Sequence, residues 1–116
     1  MALMPMKYKI LIPLHNEEVA PRFDLATEVL LVETGAGGGI QQEKVLIMPG
    51  PSAEGLCQLV ITEEVNVVIC GGVEEEFYDY LSWKRVRVID AVIGPCRSVL
   101  NRFLQNRLQP GDIIRT

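Results

Sequence analysis

The sequence predicts a single α/β domain, residues 1–116, built on one mixed sheet with helices packed against it. Three observations predict it. Apolar runs of strand length recur along the chain; the first three follow one another through short loops; and the later ones alternate with segments whose apolar residues fall at helical spacing. Hydrophobic residues make up 48% and charged residues 22% of the 116, a globular composition in a chain of one-domain size that can bury a core unaided. No repeat, linker or second domain interrupts it.

Residues 7–14 alternate and then fill with Ile10, Leu11 and Ile12, which suits a strand covered on both faces. Pro13 and the polar residues His15, Asn16, Glu17 and Glu18 mark its exit from the sheet. Residues 28–34 and 43–48 read as the second and third strands. The glycine cluster Gly35, Gly37, Gly38 and Gly39 lies between them. An apolar strand, not a helix, follows that cluster, so it reads as a hairpin connection; a dinucleotide fingerprint or Walker loop would have to open a helix.

Pro51 and Ser52 carry helix-start signals, and Ala53, Leu56, Cys57, Val60 and Ile61 then recur at helical spacing. Residues 66–70 form a β-branched run that ends in Cys70 and is closed by Gly71 and Gly72. A second helix follows, with Glu74, Glu75 and Glu76 in its first turn, where carboxylates complement the macrodipole. Phe77, Tyr80 and Leu81 form its inner face. Residues 86–93 give a fifth strand, broken by Gly94-Pro95. The third helix carries Val99, Leu100, Phe103, Leu104 and Leu108, and Pro110-Gly111 stops it.

Short loops pair strands antiparallel, while helical crossovers join parallel strands with a right-handed turn. The simplest sheet obeying both rules has the order 3-2-1-4-5 and three flanking helices, the layout of the ribonuclease H-like fold. Such a layout hosts many functions and fixes none.

A formal net charge of −4 leaves no general basic footprint for phosphates, so nucleic acid is not an expected partner. Arg97, Arg102 and Arg107 read either as a local anion-attracting patch or as a solvated helix face, and the second reading is preferred. The cysteines Cys57, Cys70 and Cys96 are an odd number without a disulfide pattern, as expected of a reducing cytoplasm. No apolar run reaches membrane-spanning length, and residues 1–5 are expected to be a frayed start.

The residues just past the first, fourth and fifth strands share the sheet edge where open α/β folds bind ligands. They are His15, Cys70 and Cys96. Imidazole and thiolate together suit zinc, copper or iron-sulfur clusters, so the three form a candidate metal set. The plainer readings are a solvated loop histidine, a small hydrophobe at the end of a buried strand, and an inner-face helix residue. Cys57 reads as core packing. A closed zinc site is not expected, because no Cys-x-x-Cys or His-x-His pair is present, and Glu74, Glu75 and Glu76 disfavour an anion held directly against their helix. The helix start favours a Cys96 thiolate, but no base adjoins it in sequence. The first strand has no acidic residue where two-metal nucleases need one, and no nucleophile motif surrounds His15, so hydrolysis is not expected.

Ile12-Pro13-Leu14, a short polar turn, then Val19-Ala20-Pro21-Arg22-Phe23-Asp24-Leu25-Ala26 resembles the hallmark of one family. So does Val68-Ile69-Cys70-Gly71-Gly72. The family is that of dinitrogenase iron-molybdenum cofactor biosynthesis, the NifX/NafY-like domain also found at the C-terminus of NifB proteins. The resemblance implies the ribonuclease H-like fold and, in the best-understood members, binding and transfer of nitrogenase cofactor precursors. The histidine implicated there as cluster ligand is replaced here by Arg22, whose guanidinium holds anions by charge-assisted hydrogen bonds. Phe23 is expected to anchor the loop under the sheet and Asp24 to cap the next turn. The expected function is a small non-enzymatic carrier of an iron-sulfur or iron-molybdenum type cofactor, held along a rim of His15, Arg22, Cys70, Gly71, Gly72 and Cys96. A cofactor-assembly protein or a second copy is the expected partner. The alternative is a protein-interaction module, with no metal, that contacts its partner through Tyr78 and Trp83.

Overall fold

A computed structural model describes residues 8–115, so the expected frayed start at residues 1–5 lies outside the described residues. The first strand, β1, spans Lys9–His15, and its central residues are buried from both sides, as the filled apolar run requires. At its end the chain reverses through Asn16 and Glu17, both with positive φ (51° and 68°), into a two-residue strand, β2, Glu18–Val19. Two consecutive positive φ values make the twist-matched two-residue hairpin loop, and Leu14 faces Val19 while His15 faces Glu18.

A 3-10 turn at Phe23–Leu25 precedes β3, Glu28–Thr34, which pairs antiparallel with β1 along its whole length. β4, Ile40–Ile47, returns antiparallel beside β3 through the glycine cluster, closed by a bond from the Gly35 amide to the Gly39 carbonyl at 2.9 Å. The cluster is the hairpin connection expected. Helix α1, Ala53–Thr62, is capped by the Ser52 hydroxyl, which accepts from the Gly55 amide at 2.9 Å. β5, Val67–Ile69, α2, Glu75–Trp83, β6, Arg87–Ile89, and α3, Cys96–Leu104, complete the chain.

The main sheet runs β4-β3-β1-β5-β6, with β1, β5 and β6 parallel, which is the strand order expected. The strand count is corrected from five to six by β2, which pairs with β1 off the main path. Three other boundaries shift by more than two residues. β4 begins at Ile40, before the apolar run, because pairing with β3 carries it into polar residues. β6 stops at Ile89, and Ile93 instead bridges to Ile113. α3 ends at Leu104 and not at Pro110, because Asn106 takes a left-handed φ of 59°; Leu108 is buried beyond the helix.

The sheet separates two cores. Ile10, Ile12, Val32, Val67 and Ile69 face α3 and pack on Val99, Leu100 and Phe103. Leu11, Val29, Leu31 and Val68 face the other side and pack on Leu56, Val60 and Leu81 of α1 and α2. Of the residues expected on the inner face of α2, Leu81 is fully buried and Phe77 half-buried, but Tyr80 is 39% exposed.

Candidate functional site

The segment Pro21-Arg22-Phe23-Asp24 lies across the C-terminal edge of the sheet, held there by backbone. The Gly72 amide donates to the Pro21 carbonyl at 2.7 Å and the Phe23 amide donates to the Gly72 carbonyl at 2.8 Å, so Arg22 and Gly72 form a parallel bridge. The approach is close because residue 71 is glycine. A Cβ there would lie 2.4 Å from the Ala20 carbonyl oxygen and 2.6 Å from that of Pro21. Gly71 and Gly72, expected at the ligand rim, therefore dock the segment that carries Arg22. Phe23 fills the α1 side of the core below it, as expected.

Between this segment and the end of β1 opens a cavity of about 320 Å³. His15 and Arg22 both line it, with apolar walls from Leu14, Pro21, Leu25 and Ala26. His15, the last residue of β1, is exposed, and its Nε2 lies 3.3 Å from Asn16 Nδ2. Arg22 is exposed and held in a fork by Asp24, with Nε to Oδ1 at 3.0 Å and Nη2 to Oδ2 at 2.7 Å. The Asp24 hydrogen bond raises the guanidinium above its ordinary pKa. Both carboxylate oxygens of Asp24 are taken by Arg22, so Asp24 orients the guanidinium, and among the described residues no backbone amide donates to it to cap the turn that follows, which corrects the capping expectation. The spacing Arg-x-Asp at the start of a turn was the available signal. Leu25 and Thr27, further lining residues, carried none.

The two cysteines do not join this cavity. Cys70 is fully buried on the α1 and α2 side, where strand alternation places it with Val68. Cys96 is 6% exposed and packs on the α3 side with Leu14 and Val19. Their backbones do reach the rim, since the Cys96 amide donates to the Glu17 carbonyl at 3.0 Å, but the thiols enter opposite cores. Among the described residues no three His, Cys, Asp or Glu side chains are grouped to hold a metal ion. The structure therefore does not assemble the expected set of His15, Cys70 and Cys96.

Burial pushes the Cys70 thiol up to about 12, with Asp90 adding to the rise. It pushes Cys96 up to about 11, against a lowering by Arg97, and Cys57 up to about 11 with help from Glu54. The helix start does not make Cys96 a thiolate, because desolvation outweighs it. Two outcomes follow. In the native protein iodoacetamide should alkylate all three thiols at least about a hundredfold more slowly than free cysteine, and urea should abolish the protection. Stability contributed by the protonated thiols is present below their ordinary value of 9.0 and lost as pH rises from there toward 12. Urea midpoints measured across that window should fall, and should fall less in Cys70→Ala.

The three arginines of the C-terminal stretch are paired or solvated. Arg97 forms a bidentate pair with Glu43 at 2.7 and 3.0 Å, and Arg102 and Arg107 are exposed. Arg102 and Arg107 thus read as a solvated face and Arg97 as a surface ion pair.

Residues 6–106 match the family described as dinitrogenase iron-molybdenum cofactor. The chain belongs to that family. No curated relative matches the sequence. Among solved structures, PH0822 superposes with a TM-score of 0.79 at 17% identity, over 88% of this chain and 93% of that one. A candidate dinitrogenase from Methanocaldococcus jannaschii gives 0.71 at 20% identity, covering 91% and 95%. The apo orange protein from Desulfovibrio gigas gives 0.69 at 16%, covering 88% and 91%. At such identities the likeness shows the shared α/β fold. No helix among the described residues is long and apolar enough to cross a membrane.

Proposed function

We propose that this family member is a small non-enzymatic binding protein that carries an anionic metal cofactor, of iron-sulfur or iron-molybdenum type, as cargo in the cavity between β1 and the Pro21–Asp24 segment. One observation carries the reading: His15 and Arg22, the exposed imidazole and guanidinium of the expected rim, line the same cavity. Its volume of about 320 Å³ suits a small ligand. The donor set fits cargo better than a resident metal ion, since a single imidazole cannot enclose an ion but can ligate one open position of a preassembled cluster. Arg22 would hold the cluster's negative charge after exchanging or sharing Asp24. Cys70 and Cys96 would support the rim from within the two cores. We also infer the ribonuclease H-like assignment from the strand order, and β1 (KILIPLH) carries no carboxylate for two-metal hydrolysis. Release to a cofactor-assembly protein inside the cytoplasm belongs to the same proposal.

Anaerobic incubation with iron, sulfide and molybdate, followed by desalting, tests the reading by metal content and charge-transfer absorption. The wild type and Cys70→Ser should both retain colour. His15→Ala and Arg22→Ala should each lose at least about tenfold in retention, which is the cost of one ligand or one charge-assisted contact. A colourless, metal-free wild type would end the cluster reading.

A further inference from the structure

We propose that the groove between α1 and α2 is a docking site for a basic amphipathic helix of a partner protein. The groove encloses about 580 Å³ and shares no residue with the His15 and Arg22 cavity. Glu54, Cys57 and Ile61 line one wall, three and four residues apart along α1, and Glu76, Phe77 and Tyr80 line the other. On α1 the lining runs from Glu54 to Thr62, about 12 Å at 1.5 Å per residue, which matches two turns of a docked helix better than a compact ligand.

The walls mix polar and apolar groups, with Gln58 and Thr62 beside Cys57, Ile61, Phe77 and Tyr80. Trp83, 75% exposed, follows Tyr80 by three residues along α2, and Lys84 lies over the two rings at 5.0 and 5.8 Å. Aromatic residues of this kind are the usual anchors of protein recognition.

Charge complementarity selects the occupant. α1 and α2 carry four carboxylates, Glu54, Glu75, Glu76 and Asp79, and neither Lys nor Arg. Glu54 and Glu76 make no ion pair among the described residues. Strand directions make α1 and α2 run the same way, which places Glu54 and Glu76, each in a first turn, at one end of the groove. A partner helix lying antiparallel would bring a cationic last turn to that end, the arrangement its own dipole favours. A nucleic acid is repelled. A second copy fits poorly, because its groove is equally acidic, and its basic helix α3, with Arg97 and Arg102, has already buried Val99, Leu100 and Phe103 in its own core.

The test titrates the full chain with an 18-residue Leu/Lys peptide patterned as an amphipathic helix, with a scrambled peptide of the same composition and a Leu/Glu counterpart as controls. Calorimetry and amide shifts report binding and its location. The expected result is saturable binding of the patterned peptide that shifts α1 and α2 amides, weakens with salt, and becomes about tenfold weaker in the surface double variant Glu54→Lys/Glu76→Lys. His15→Ala should bind unchanged. Equal binding of the scrambled peptide, or an unaltered affinity in the double variant, would overturn the proposal. So would a dimer in sedimentation velocity that the double variant dissociates, which would make a second copy the occupant.

Discussion

Phe23→Ala should cost about 3–5 kcal/mol of folding stability, a large share of the total for a domain of this size. The side chain is 1% exposed and packs in the core on the α1 side, with Leu11, Ala20, Ala26 and Val29. Besides this packing, the segment that bears it is fixed by the two backbone bonds it shares with Gly72. The 3-10 turn has three residues and an internal bond of 3.3 Å from the Leu25 amide to the Arg22 carbonyl, so its backbone has no helix or long strand to hold it. Loss of the ring leaves a cavity that Ala20 and Ala26, both already small, cannot fill. Urea denaturation measures the cost. Phe23→Leu should recover more than half of it, since most of the buried volume returns. A loss below about 1 kcal/mol for Phe23→Ala would mean that the loop is held by other contacts.

Much of this architecture is written in apolar run lengths. The run Ile10, Leu11, Ile12 suits a strand covered on both faces, and with it the order of the five main strands follows from loop lengths and crossover handedness. The β1–β2 hairpin was not legible, because Asn16 and Glu17 adopt positive φ without a glycine to announce it, and two residues of β2 leave no pattern. The end of α3 escapes the sequence pattern for the same reason, since Asn106 and not the later Pro-Gly pair turns the chain. For the site, sequence placed His15, Cys70 and Cys96 at one edge, and their backbones are there. What decides their chemistry is the face each side chain takes. Alternation from Ile69, which faces α3, to Cys70, which faces α1, was readable, and it would have separated Cys70 from Cys96. The cavity itself depends on how the Pro21–Asp24 segment crosses the sheet edge, a long-range backbone contact that no local pattern encodes.

That contact makes Gly71→Ala the second large expected effect, a loss of about 3 kcal/mol from a single added methyl. The reason is close approach and not backbone conformation, since Gly71 is not among the residues with positive φ. The new Cβ would meet two carbonyl oxygens at 2.4 and 2.6 Å, both belonging to backbone that cannot turn aside as a side chain would. Relief requires the segment to lift, which stretches the bonds from Gly72 to Pro21 and from Phe23 to Gly72 and draws Phe23 from its pocket. Hydrogen exchange of the Gly72 and Phe23 amides should therefore accelerate in step with the fall in urea midpoint. Gly72→Ala supplies the control. Its Cβ would lie 3.3 Å from the Pro21 oxygen, a gap that a shift of a few tenths of an ångström relieves, so it should cost less than about 1 kcal/mol. Because Arg22 rides on the displaced segment while His15 stays on β1, Gly71→Ala should also separate the two sides of the cavity. Under the carrier reading it should reduce cofactor retention about as much as Arg22→Ala does, although residue 71 does not line the cavity. Equal loss of stability and amide protection in the Gly71 and Gly72 variants would show that the close approach does not hold the segment down.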